Sequence, residues 1–134
     1  MSAAWKFHHL GVAVKDMQAG MRTYDELLGY RLLSGPFDDP IQSASVCFLG
    51  NGGSFVIELI APLGESSHVH SLLAKGNSAY HVCYEVPDIE RTLEDAKGKG
   101  CLIVRAPAPA VAFEGRRIAW LFAPTRHLIE VLEQ

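Results

Sequence analysis

The stretch His9-Leu-Gly-Val-Ala-Val-Lys-Asp16 decides the fold, because His81-Val-Cys-Tyr-Glu-Val-Pro-Asp88 repeats its plan of a histidine, an apolar run and an acidic turn. Two later runs repeat as well, Phe55-Val-Ile-Glu58-Leu-Ile60 and His127-Leu-Ile-Glu130-Val-Leu132. Glu58 follows His9 by 49 residues and Glu130 follows His81 by the same 49, so a single offset of 72 superposes both pairs. That offset also carries Val46 and Phe48 onto Ile118 and Trp120, and Asp16 and Met17 onto Asp88 and Ile89, with at most one residue of drift around Gly29 and Gly100. A fixed offset that matches polar and apolar positions together marks a duplicated module.

Within the first copy, Phe7 to Val14 reads as a strand. Asp16 is a candidate N-cap for a helix whose apolar positions Met17, Met21, Tyr24 and Leu28 recur at helical spacing, and Gly29 ends it. Extended structure resumes from Tyr30 to Leu33, Ser34-Gly35-Pro36 breaks it, and Ala44 to Leu49 and Ser54 to Ile60 read as strands around the turn at Gly50 to Gly53. Pro62, Gly64 and Gly76 bound a connector with a short helix from His68 to Lys75. The order then recurs: a strand at Ala79 to Val86, a helix from Asp88 to about Lys97, and strands near Leu102 to Arg105, Arg117 to Phe122 and His127 to Leu132.

Each half is thus a βαβββ unit, and a unit of this size leaves one sheet face uncovered. The expected fold class is α+β: two tandem βαβββ modules forming a curled mixed sheet around a metal-binding cavity. The expected organisation is one domain over residues 1–134, with module 1 at about 5–62, a connector at about 63–76 and module 2 at about 77–134.

The 134 residues, 49% hydrophobic and 20% charged, suit one compact domain with a real core. A net charge of −3 gives no basic field for a phosphate backbone, so nucleic acid is excluded as a partner. The apolar stretches are too short to span a bilayer and the N-terminus lacks a signal peptide's apolar segment, so the expectation is no membrane and a cytoplasmic location. Cys47, Cys83 and Cys101 fit neither a disulfide framework nor a paired zinc site and read as reduced thiols.

Two imidazoles and two carboxylates, matched pairwise, make a ligand set for a divalent ion: His9, Glu58, His81 and Glu130. Mixed nitrogen and oxygen donors suit Co, Ni, Zn or Mn. Period-two alternation puts His81, Cys83 and Glu85 on one strand face and Leu128, Glu130 and Leu132 on another, so neighbouring first and last strands would bring His and Glu together. His8 falls on the opposite face from His9 and is assigned to packing or solvent. His68 and His70, with Glu65 nearby, read as exposed connector residues. Cys83 reads as cavity lining, Glu85 as a solvated strand-end residue at the cavity rim, and Arg116 and Arg117 as a charged turn.

The stretches His9 to Asp16, Tyr24-Asp-Glu-Leu-Leu-Gly29, Ile57-Glu-Leu-Ile-Ala-Pro62, Tyr80-His-Val-Cys-Tyr-Glu-Val86 and Leu128-Ile-Glu130 resemble the vicinal oxygen chelate superfamily, which includes glyoxalases, epimerases, dioxygenases and bleomycin resistance proteins. The resemblance covers nearly the whole chain. It implies the same four ligands, and a second role for one or both of Glu58 and Glu130 as the catalytic base. It also implies a small-molecule substrate and a homodimer.

Within the superfamily the chain looks most like the methylmalonyl-CoA epimerases. It departs from them at Asn77-Ser-Ala-Tyr80, where a Gly-x-His-His stretch is usual, and in the Pro- and Ala-rich loop from Ala106 to Phe113. The implied activity is metal-dependent proton abstraction next to a carbonyl, as in an epimerase acting on an acyl-CoA-like thioester. The alternatives are a glyoxalase I-like lactoylglutathione lyase, although Ala13 stands where bacterial forms often carry an Arg, and a non-catalytic drug- or metabolite-binding resistance protein.

Overall fold

The computed structural model of the protein describes residues 5–134. Its described residues divide into two compact units, His9–Tyr80, and His81–Gln134 together with residues 5–8. The first copy of the repeat runs β1 (Lys6–Ala13), α1 (Met17–Leu28), β2 (Arg31–Asp39), β3 (Ala44–Gly50) and β4 (Ile57–Pro62). A short helix α2 (Val69–Ala74) leads to the second copy, β5 (Ala79–Val86), α3 (Ile89–Gly98), β6 (Leu102–Pro109), β7 (Arg117–Phe122) and β8 (Leu128–Glu133). The fold class is α+β, with two βαβββ modules. No helix among the described residues is long and apolar enough to cross a membrane.

The strands follow the order β2-β3-β4-β1 in the first copy and β5-β8-β7-β6 in the second. Both are mixed: β1 is parallel to β4 and β5 to β8, while the other pairs are antiparallel. The duplication extends to the ladder, since Leu10↔Ile57 and Gly11↔Glu58 become Val82↔Ile129 and Cys83↔Glu130 under the same offset.

Helix packing sets the phase of the strands. In the first unit Val12, Cys47, Leu49, Ile57 and Leu59 form a buried cluster with Leu10, Val14, Met17 and Met21 against it. In the second, Val86, Ala119, Leu121 and Val131 pack with Ile89, Leu93 and Ala96 of α3. Because strand side chains alternate, this leaves His9, Phe48 and Glu58 on the opposite face of one sheet, and His81, Trp120 and Glu130 on that of the other. Each buried Leu, Ile or Val contributes about 1.5–3 kcal/mol, so a one-residue slip that turned these cores outward would be strongly opposed.

Asp88 caps α3 by accepting from the Arg91 N–H at 3.1 Å. Asp16 holds the equivalent position before α1 with an extended backbone but makes no side-chain cap bond, and Gly29 closes that helix at φ 72° in the left-handed region. The largest departure from expectation lies in the outer strands. β2 continues through Ser34-Gly35-Pro36, where a break was expected, and β6 continues to Pro109 instead of ending near Arg105. Both strands end the sheet order of their copy, and both carry register shifts along their single ladder. A proline lacks the N–H that a central strand needs on both sides, but an outer strand tolerates the loss at a bulge.

Candidate metal centre

His9 lies in β1 and Glu58 in β4. The ladder pairs Glu58 with Gly11, two residues beyond His9, so imidazole and carboxylate meet on a diagonal, with Nε2 of His9 3.1 Å from Oε1 of Glu58. The second copy repeats this across Cys83, with Nε2 of His81 3.1 Å from Oε1 of Glu130. All four residues are buried, the two histidine side chains fully. Burying a carboxylate is costly without a partner that answers its charge, and each glutamate has an imidazole in contact.

The pairs fit a metal ion chemically. Each pair sets an imidazole nitrogen and a carboxylate oxygen 3.1 Å apart in a buried setting, and both are donor types that divalent ions take. Neutral imidazole with carboxylate is a donor mixture for borderline divalent ions rather than for magnesium.

An aromatic ring stands beside each pair. Phe48 is directly opposite Glu58 on the β3–β4 ladder and meets the His9 ring edge-to-face at 5.3 Å. Trp120 is directly opposite Glu130 on β7–β8 and meets the His81 ring at 4.8 Å with an interplanar angle of 84°. The offset of 72 had linked Phe48 to Trp120, but their contact with the histidines depends on a cross-strand register that spacing along the chain does not carry.

The remaining residues of interest have other occupations. His8 packs edge-to-face on Phe113 at 5.5 Å. Nε2 of His70 lies 3.0 Å from the Gly64 carbonyl, and His68 precedes α2 as its N-cap residue. Glu85 is in an ion pair with Arg116, whose Nε also donates to the Glu133 carbonyl at 3.0 Å. Arg117 bridges Glu90 at 2.7 Å and Glu133 at 3.1 Å, and its hydrogen bonds hold both carboxyls below the usual carboxylate range. The charged-turn reading of Arg116 and Arg117 therefore gains specific partners.

The three cysteines are free thiols. Burial first, and then the nearby Glu58 charge, push the Cys47 thiol up to about 11, which keeps it protonated and unreactive.

The sequence pattern of the Glyoxalase/Bleomycin resistance protein/Dioxygenase superfamily matches residues 8–120. The chain belongs to this superfamily. Among members of this vicinal oxygen chelate group, it is 30% identical over 118 residues to the ethylmalonyl-CoA/methylmalonyl-CoA epimerase of Cereibacter sphaeroides, covering 87% of each chain. It is 29% identical over 132 residues to a lactoylglutathione lyase of Arabidopsis thaliana, covering 96% of this chain and 44% of that one. The crystal structure of methylmalonyl-CoA epimerase from Mycobacterium tuberculosis matches it with a TM-score of 0.79 at 26% identity, over 99% of this chain and 92% of that one. Of these three named relatives two are epimerases and one is a lyase.

Proposed function

We propose that this vicinal oxygen chelate protein is a metal-dependent epimerase of an acyl-CoA-like thioester. In this reading His9, Glu58, His81 and Glu130 hold one divalent ion, Co, Ni, Zn or Mn, and Glu58 and Glu130 carry the proton. The observation that supports it is the pair of buried His–Glu contacts, each at 3.1 Å and at the same ladder position of a duplicated module. A divalent ion bound there supplies an electrophile that polarises a substrate carbonyl and makes the adjacent C–H more acidic.

The chain's own residues then handle the proton. Inverting a carbon centre requires a proton carrier on each face, one to remove and one to return. The duplication supplies two carboxylates in equivalent settings, Glu58 and Glu130, which suits that need. His9 and His81 would hold the ion through Nε2, 3.1 Å from the carboxylates, and the burial of all four keeps water from competing for the proton. The thioester class is drawn from the named epimerase relatives. The working form is taken to be the homodimer usual in the superfamily, which light scattering checks.

A lactoylglutathione lyase is the second reading, favoured by the similarity to the plant enzyme. It uses the same residues but returns the proton to the neighbouring carbon. Metal-loaded protein in deuterated water, followed by NMR, separates the two. Exchange at the carbon next to the thioester of methylmalonyl-CoA supports the epimerase, and turnover of the methylglyoxal–glutathione adduct alone supports the lyase. Exchange in neither substrate, with tight metal-independent ligand binding, would move the protein to a sequestering role.

A further inference from the structure

We infer that Trp120 and Phe48 are positioning residues for the two His–Glu pairs, each fixing its imidazole in the orientation that presents Nε2 to the glutamate and so to a divalent ion. The inference rests on the metal reading above and adds two residues to it. Each glutamate has a histidine on its parallel neighbour and an aromatic ring on its antiparallel neighbour: His9 and Phe48 about Glu58, His81 and Trp120 about Glu130. The rings touch edge-to-face at 5.3 Å and 69° in the first copy and at 4.8 Å and 84° in the second.

An imidazole turned by half a rotation about its outer torsion presents different atoms to its surroundings, and that torsion is broad and two-fold, so the strand backbone does not select the orientation. A ring packed edge-to-face holds the imidazole plane, and because its face is negative and its edge positive it distinguishes a C–H from a bare ring nitrogen turned toward it, with a preference of a few-fold to about ten-fold.

Simple core filling does not account for the placement. One row along the same sheet faces, the equivalent positions are the aliphatic Val46 and Ile118. On the other side the equivalent positions are Gly50 and Phe122, so the glutamate row is the one at which both copies carry an aromatic residue.

The chain's two tryptophans make the test direct, because Trp5 lies on the surface against Tyr84, in contact with neither pair. In a Trp5→Phe background, cobalt(II) should quench Trp120 emission in step with binding measured by calorimetry. Trp120→Leu should weaken cobalt(II) binding by about 10- to 100-fold, as expected when a group that orients a ligand is lost, and should change the visible spectrum of the bound ion. Trp120→Phe should recover most of the affinity.

In metal-free protein, NMR of the imidazole nitrogens should show one tautomer for His81 in wild type and in Trp120→Phe, and a mixture in Trp120→Leu. If Trp120→Leu fails to fold, Phe48→Leu and the His9 signals provide the same comparison in the first copy. Unchanged affinity together with an unchanged tautomer overturns the assignment. Failure of wild-type protein to take up cobalt(II) overturns the metal reading instead, while the metal-free tautomer comparison still decides whether the rings orient the histidines.

Discussion

Replacing Glu130 by glutamine separates proton transfer from folding. The amide keeps the volume of the carboxylate and an oxygen for the 3.1 Å contact with His81, but it cannot accept a proton. A positioned base is worth about 10²- to 10⁴-fold in rate, so carbonyl-adjacent exchange should fall by that factor. The structural loss is small, because the amide matches the carboxylate in shape and its neutral group is less costly to bury, so the change should stay within about 1 kcal/mol. For a domain of this size that moves Tm by no more than about 4 °C. Glu130→Leu is the contrast, since it removes the partner of a fully buried imidazole at a cost of about 1–3 kcal/mol, or about 4–12 °C.

The assay is deuterium exchange into methylmalonyl-CoA at saturating cobalt(II), with metal content measured on the same samples and melting followed by calorimetry. Glu130→Gln that binds metal, melts near wild type and exchanges at the wild-type rate would refute the role of Glu130 as proton carrier. Glu58→Gln under the same conditions asks whether the other carrier is needed.

Elemental analysis of protein reconstituted with Co, Ni, Zn or Mn should give about one ion per chain, abolished in His9→Ala and His81→Ala and retained in His8→Ala, whose ring packs on Phe113. Equal loss in His8→Ala would mean that the strand phase is wrong. The carboxyls of Glu90 and Glu133 sit below their ordinary value of 4.5 in the folded protein because of Arg117, so their contribution to stability is full above that value and is lost as pH falls through the depressed values. Urea titrations should therefore show Arg117→Ala destabilised at pH about 7 and converging with wild type in strong acid, whereas a constant difference at every pH would contradict the pairing. With its thiol at about 11, Cys47 should resist iodoacetamide in the folded protein at neutral pH, and mass spectrometry showing its rapid alkylation would disprove the burial assigned to it.

Much of the fold was legible because alternation and helical spacing are local. The strands Ala79–Val86 and Arg117–Phe122 fall where the sequence placed them. The choice of His9 over His8 follows from parity along one strand, and the structure places His9 against Glu58 and His8 against Phe113. What was illegible depends on who neighbours whom. Pro36, Pro107 and Pro109 looked like strand breakers because a sequence does not say which strands are outermost. Arg116 and Glu85 stand 31 residues apart with no spacing to connect them, and the aromatic rings beside the histidines required the hairpin register.

The prolines of β2 and β6 also bear on how the protein avoids joining with itself in the wrong way. Both outer strands carry exposed apolar side chains, Leu32 and Leu33 on one and Leu102 and Val104 on the other. A flat border of that composition is a template on which a further strand can dock and a fibril can grow. Each border instead shifts register twice and lacks the amide hydrogen of Pro36 in one case and of Pro107 and Pro109 in the other, so it offers an incoming strand an interrupted ladder. Irregularity at these borders, which looks like a flaw in the sheet, keeps a folded chain from becoming a seed.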